Sequence, residues 1–584
     1  MEEHGLSGPE ARQIAAVRTR EAKDYGVTPA ELAPEWRERG AAVGLDRAAL
    51  AAALDRGEFR GLGADTRQAI AHELVGARGL TLQASSFDRR DVVCAFASSA
   101  QQGATREEIE AFVDAFVGDT RVVPLLAPTS DVDVSRREVM RLNDGRVVPA
   151  PSRVGRYSTH ELLALEQRVI ERALSERGVG AGVADPSAVE RALVARTTMG
   201  LDQAAMVRRL CSEGDRVQVV VGPPGTGKTF ALDAAREAWE ASGYSVVGAA
   251  LARRAARRVQ ESAGIPSTSV AALQRELRLG GEYGVGPRTV VVVDEAGMVG
   301  TRDLHELVEH AGHAGAKVVL VGDHQQLPEI DAGGTFRALV ARCDPIVLTE
   351  NRRQREEWAR RMLALLRHGH VHDGLELASE YGAVVVAPTS EAAQTQLVRD
   401  WWQVTEAGRE AMMVAHRRSE ARDLNAAARA LMDDAGRLGP ERLELPGGEF
   451  AAGDQILLKR GSKALNVDNG DTGLIEVVDV KRQCLTARVG EDRDRLVELP
   501  AAYLHVEGIA GQPSVVHGYA ATGHVHQGAT ADATFVLGSP ELYREWIYTA
   551  ASRPRDQLRF YLTDALADSQ REFHGAQATP RPRR

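Results

Sequence analysis

The chain has 584 residues, 43% hydrophobic and 26% charged, with a formal net charge of −10. That balance is ordinary for a soluble protein of about three to five globular domains, and it argues against an all-over basic coat for nucleic acid, so any polyanion must meet a local groove. The four cysteines, Cys94, Cys211, Cys343 and Cys484, lie far apart, which argues against a disulfide framework or zinc site, and no apolar run approaches the ~18 residues of a membrane span.

The N-terminus, MEEHGLSGPEARQ, lacks the apolar core of a signal peptide, and the expected location is the cytoplasm. Residues 1–82 read as helices rich in Ala, Arg and Glu, with Ser7-Gly8-Pro9-Glu10 as a helix start and Trp36 as a core aromatic. Residues 83–185 read as a small separate domain. One helix opens at Ser86–Asp91, and a second opens at Thr105-Arg106-Glu107-Glu108 with a capping-box pattern. Val122–Leu125 reads as a short strand, and a hairpin turns at Asn143-Asp144-Gly145. Helices followed by a hairpin predict a winged-helix-like unit. The helix HELLALEQRVIERAL follows, and Gly178–Gly182 is the expected linker.

The next unit, 188–344, carries the strongest signal. Valine-rich Val217–Val221 runs into Gly222-Pro223-Pro224-Gly225-Thr226-Gly227-Lys228-Thr229, followed by a helical pattern. Strand, glycine loop and helix together form a phosphate cradle: backbone N–H groups and the helix dipole face phosphate oxygens, Lys228 reaches the β/γ-phosphates, and the Thr229 hydroxyl coordinates Mg²⁺. Upstream, Gln203 is a candidate reader of the adenine edge through its amide. Downstream, Arg254, Arg257 and Arg258 share a helix face by i, i+3, i+4 spacing, a candidate contact to a phosphate backbone.

A second buried strand, Val290–Val293, ends in Asp294-Glu295. Acids at the carboxyl end of a parallel strand face the ligand crevice, so Asp294 is expected to hold Mg²⁺ and Glu295 to position and deprotonate the attacking water. A third strand, Lys317–Val321, leads to Gln326, a candidate γ-phosphate sensor. Arg353, in LTENRRQ, is a candidate arginine finger, because a guanidinium stabilises transferring phosphoryl charge better than a point ammonium. The histidines of His368-Gly369-His370-Val371-His372-Asp373 and His524-x-His526 lack the setting of a metal site and read as solvated or capping groups.

VGPPGTGKT, VVVVDEAGM, VGDHQQLP, LTENRRQ, YAATGHVHQGAT and YTAASRPR occur in the order of superfamily 1 helicases. Within them the chain resembles the RecD-like superfamily 1B group, and is similar above all to the helicase half of MobF-type conjugative relaxases, with the motifs spanning roughly 200–565. The resemblance implies an α/β fold with two RecA-like parallel-sheet motor domains, the second formed by 345–442 and 514–566. It also implies an inserted SH3-like β-barrel at 443–513, the helical and winged-helix-like segments ahead of the motor, and a tail at 567–584 that reads as disordered.

The resemblance further implies an ATP- and Mg²⁺-dependent motor on single-stranded DNA, with 5′→3′ polarity. Thr522 and Gln527 would contact the DNA or couple it to the ATP site, and Arg553 would match the family's γ-phosphate arginine, facing the P-loop together with Arg353 from the opposite side. Val525 stands where many relatives carry Lys or Arg, and Leu251-Ala252 replaces a Pro-Thr pair, which bears on DNA grip. No nickase motif is visible, so the expectation is a relaxase without its strand-cleaving half, either a truncated gene or one protein of a split pair; in the second case a separate relaxase or coupling protein is the partner. The alternatives are a RecD-type repair helicase subunit and a DNA-binding remnant of a relaxase. Intact Lys228, Glu295, Arg353 and Arg553 argue against the remnant.

Overall fold

A computed structural model describes residues 29–44, 62–100, 103–126, 139–141, 147–149, 155–279, 284–329, 331–490, 493–506, 512–523, 525, 528–539 and 541–563. The expected turn Asn143-Asp144-Gly145, the residues His524, His526 and Gln527, and the tail 567–584 lie outside these.

Ahead of the motor, the helices Arg89–Ser99 and Arg106–Val117 start where the sequence predicts. Asp88 and Thr105 cap them, each with a reciprocal bond from the third helical residue. Their apolar faces share a core with Phe87, Phe96 and Phe112, closed by an antiparallel pair of strands, Val122–Leu126 and Arg156–Thr159. Trp36 is not the core residue its spacing suggested: on the helix Pro29–Ala42 it is 54% exposed.

The helix His160–Ser175 (α1) corrects the expected boundary. Its stripe of Val169, Ile170 and Ala173 packs into the same core as Val217, Val219 and Val291, so it covers a face of the first motor sheet and does not close the preceding unit. The Gly178–Gly182 stretch is accordingly no loose linker. Gly182, at φ +62°, lies so close to the buried Lys317 chain that a Cβ would come within 2.4 Å of Cδ, and its carbonyl accepts the Trp239 indole N–H at 2.8 Å.

The first sheet contains β1 (Val217–Val221), β2 (Ser245–Ala250), β3 (Ser267–Ser269), β4 (Thr289–Val293), β5 (Lys317–Gly322) and β6 (Ile346–Val347). They run in the order β6-β1-β5-β4-β2-β3, every pairing parallel. β1, β4 and β5 are buried at every residue, which is why they read as near-continuous valine runs. Because β6 pairs with β1, the first unit extends past residue 344, and the expected start of the second at 345 is corrected to a point after Val347.

The chain then passes through the helix Glu357–Arg367 (α2), β7 (Val384–Ala387) and β8 (Ala411–Ala415). It leaves for an insert that opens with a short hairpin, Leu443–Leu445 against Gly448–Phe450, and continues with five further strands: β9 (Gln455–Leu458), β10 (Thr472–Asp479), β11 (Cys484–Val489), β12 (Arg495–Leu499) and β13 (Val515–His517). These form one antiparallel sheet in the order β12-β11-β10-β9-β13 around its own core of Ile456, Ile475, Leu485 and Val489. The chain returns as β14 (Ala520–Thr522), β15 (Ala531–Leu537), the helix Arg544–Ala551 (α3) and β16 (Pro554–Thr563). The second parallel sheet runs β7-β16-β15-β8-β14. Two parallel α/β sheets with a separate antiparallel insert are therefore the architecture.

Candidate active site

The carboxyl ends of β1, β5 and β4 open into a cavity of about 500 Å³, where an open parallel sheet places its ligands. Pro223 to Thr229 line one wall, Asp294, Glu295 and Gln326 the floor, and Arg353 and Arg553 face them.

The loop after β1 folds as its glycines demand. Gly225 and Gly227 sit at φ +83° and +74°, and Gly227 caps the following helix, Lys228–Ala241. Each glycine also lies under a side chain. A Cβ on Gly222 would stand 2.6 Å from Lys228 Cδ, on Gly225 2.6 Å from Arg353 Cβ, and on Gly227 2.3 Å from Gln203 Nε2. Thr226 is buried and donates to Pro223 O, and Lys228 Nζ donates to Gly222 O at 2.7 Å across the mouth of the loop.

Gln203 is placed differently from a base reader. Its Nε2 donates to Thr226 O (2.9 Å) and Gly227 O (3.3 Å), and its Oε1 accepts from Gly200 N and from Arg352 Nη1 at 2.6 Å. The side chain is 1% exposed and braces the phosphate loop from behind. Arg352 completes the brace: its backbone N–H donates to Gly225 O at 2.8 Å, and its guanidinium reaches Asp202. Nothing in the local sequence marks this function for Arg352.

Asp294 and Glu295 follow β4. Asp294 N donates to Ala249 O of β2, and Glu295 is left-handed at φ 50° and ψ 39°, an uncommon conformation for a non-glycine residue that costs of order 1–3 kcal/mol. Burial, and next the adjacent Glu295 charge, raise the Asp294 carboxyl above the usual range, while Lys228 and Arg258 pull it down. A carboxyl raised on folding binds its proton more tightly in the folded state. Stability therefore falls as pH rises between the ordinary carboxylate range and the raised value, and the cost is complete above it. Asp294→Asn should raise the melting temperature of the metal-free protein by about 1–2 °C at pH 8, with no gain at pH 4. Melting curves at the two pH values check this, and a fall at pH 8 would contradict it.

Gln326 and Arg553 meet across the two sheets, with Arg553 Nη2 at 3.4 Å from Gln326 Oε1 and both side chains buried. Arg553 Nε donates to Thr549 O one turn back in α3. Burial, then the charge of Arg353, lowers Arg553 to about 9. Arg353 belongs to neither face alone: its segment is tied to Gly225, while its Nη1 donates to Ser552 O at the end of α3. The expectation that it comes wholly from the second unit is corrected by that tie, since the chain has only just left β6.

Beside these groups Asp323 is buried between units, accepting from Tyr548 Oη at 2.9 Å and Arg367 Nη2 at 3.2 Å. Six arginines, Arg258, Arg352, Arg353, Arg355, Arg553 and Arg555, line the cavity with Lys228, against the two acids. That excess suits a polyphosphate, the glycine cradle suits close approach of phosphate oxygens, and the hard oxygen donors Thr229 and Asp294 suit Mg²⁺. The sequence reading placed Arg258 on a DNA face and passed over Arg355 and Arg555. The YTAASRPR segment that supplied Arg553 also holds Arg555.

The candidate DNA residues fare unevenly. Arg254 Nη1 donates to Gly470 O (2.6 Å) and Val525 O (3.0 Å), and Arg257 pairs with Asp468 and Asp471, whose side chains are 4% exposed. The helix that carries them, Arg253–Ala263 (α4), thus grips the insert with the face expected to meet a phosphate backbone. Thr522 ends β14 at the carboxyl edge of the second sheet, partly exposed. Gln527 lies outside the described residues.

A family model described as an AAA domain matches residues 198–389. The conjugal transfer protein TraA of Rhizobium radiobacter is 34% identical over 431 residues, 73% of this chain and 38% of its own length. The ATP-dependent RecD2 DNA helicase of Deinococcus radiodurans is 28% identical over 379 residues, covering 62% of this chain and 49% of that protein. The chain thus spans under half the length of these relatives. A crystal structure of Pif1 helicase from Bacteroides, in complex with ADP-AlF3 and ssDNA, overlaps 65% of this chain and 98% of its own with a TM-score of 0.44 at 17% identity.

Proposed function

Because the chain belongs with the RecD-like helicases and is related to the TraA conjugal transfer proteins, we propose that it is an ATP-driven motor that moves along single-stranded DNA and unwinds duplex in conjugative transfer. The observation that carries this is the meeting of Gln326 and Arg553 over the phosphate loop, because a cleft built from two parallel-sheet units can close on a nucleotide and open again. Lys228 neutralises phosphate charge, Glu295 takes the proton of the attacking water, and Gln326 registers the terminal phosphate. Arg353 and Arg553 stabilise charge on the transferring phosphoryl group. Thr229 and Asp294 would hold Mg²⁺, which would neutralise polyphosphate charge there.

The two sheets are read as RecA-like motor domains, 160–347 and 348–442 with 518–566. The insert, expected at 443–513, runs to 517 because β13 pairs with β9, and it is read as the SH3-like barrel, with 83–159 as winged-helix-like. The strand would run over the carboxyl edges of both sheets past Thr522 and Gln527, 5′→3′, with a separate relaxase or coupling protein as partner. Steady-state ATP hydrolysis with and without a single-stranded oligonucleotide tests the reading: it should be Mg²⁺-dependent and rise with DNA. Hydrolysis indifferent to DNA would refute the motor function.

A further inference from the structure

The helix α4 sends its arginines in two directions. Arg254 and Arg257 hold the insert and Val525, while Arg258, one residue on, turns into the cleft beside Lys228, Asp294 and Glu295. There its guanidinium lies directly over the bare Cα of Gly528, where a Cβ would stand 1.5 Å from Nη1. Gly528 is at φ +76° and belongs to the second unit, six residues after Thr522. One side chain of the first unit therefore touches both the nucleotide cleft and the loop that continues the expected DNA edge.

We infer that Arg258 contacts the terminal phosphate of the bound nucleotide and, in doing so, links the nucleotide state to the position of the Gly528 loop. The inference rests on the reading of the cleft as a nucleotide site. Three observations support the terminal phosphate over the rest of the ligand. Arg258 lines the same cavity as Glu295, the candidate base. Its charge acts on Asp294 and on Arg553, so it stands among the groups that surround the reacting phosphoryl. The charges of Arg258 and Arg353 both bear on the buried Arg553, and an added anionic oxygen relieves that repulsion.

Arg258 differs from Arg553 in one respect. It rides on a helix that follows β2 of the first sheet, so its phosphate contact is made from the phosphate-loop side. What moves when it engages is Gly528, across the cleft. A purely structural Arg258, packed against Gly528 to hold the units together, would matter for stability and would be indifferent to which nucleotide is bound.

Equilibrium binding of ADP and of ATPγS to the full chain distinguishes the two. Arg258→Ala should weaken ATPγS by about tenfold, the loss of one charge-assisted contact, and leave ADP within about twofold. Arg258→Lys should recover part of the ATPγS loss. Gly528→Ala, whose methyl displaces the guanidinium, should reproduce the same selective loss, and the double variant should be no weaker than Gly528→Ala alone. Equal weakening of both nucleotides, or no weakening of either, overturns the phosphate contact. Wild-type ATPγS affinity in Gly528→Ala overturns the link to the loop. If the wild-type protein binds neither nucleotide, the nucleotide-site reading itself falls and the inference with it. Melting curves of each variant identify a fold defect, and Arg258→Lys then carries the comparison.

Discussion

Arg553→Ala is expected to lower kcat for ATP hydrolysis by about 10³-fold or more, the range seen for arginine fingers, with ATP affinity held within about tenfold. The side chain is 2% exposed, and its reach is fixed by Thr549 O behind it and Gln326 Oε1 in front. Burial, and next the charge of Arg353, lowers it to about 9. On the proposed reading of the cleft the guanidinium is held where phosphoryl charge would develop, at an electrostatic cost to the nucleotide-free protein. Removing it should leave the melting temperature unchanged or raise it, while the chemistry collapses. The opposite pattern, a lower melting temperature with kcat within about threefold of wild type, would make Arg553 a structural cap of α3. Arg553→Lys should not rescue, because a point ammonium cannot present the same fork of donors.

Lys228→Ala should reduce turnover by at least about 10²–10³-fold, the scale of losing one preorganised charge-stabilising donor. Here the loss should fall on nucleotide binding as well as on kcat, since on the proposed reading Lys228 would face phosphate in ground and transition states alike. Its Nζ is bonded to Gly222 O, within the loop and away from the candidate DNA edge, so oligonucleotide binding should persist. Filter binding with a labelled single strand and steady-state ATPase on the same preparation separate the two effects. Substantial remaining turnover would remove the phosphate cradle from this loop. Loss of oligonucleotide binding together with turnover would mean that the variant has lost more than a phosphate contact.

The cradle, the acids after β4 and the two parallel sheets were legible because each is written in contiguous residues. A valine run buried on both faces and a loop that needs left-handed glycines leave local marks, and Gly225 and Gly227 do adopt positive φ. What was not legible depends on partners far along the chain. Gln203 looks like any helical glutamine until Arg352, 149 residues away, closes on its Oε1. Arg257 has the spacing of a phosphate-binding face, yet Asp468, 211 residues on, takes its guanidinium. Amphipathic patterning of α1 says that one side is covered but not by what, so the boundary was drawn on the wrong side of that helix. The two residues of β6 are too short to announce a sheet edge, and Trp36 shows that helical spacing alone does not bury an aromatic ring.

The central claim, that hydrolysis in this cleft moves the protein along single-stranded DNA, is tested most directly by strand displacement. A duplex carrying a 5′ single-stranded tail is mixed with the protein, Mg²⁺ and ATP, and release of the labelled strand is followed beside the same reaction with ATPγS and with Arg553→Ala. Displacement should require ATP, be lost with ATPγS and with the variant, and be weaker on a duplex with a 3′ tail. Displacement that proceeds equally in ATPγS, or none on any tailed duplex while ATP is being hydrolysed, would contradict the central claim.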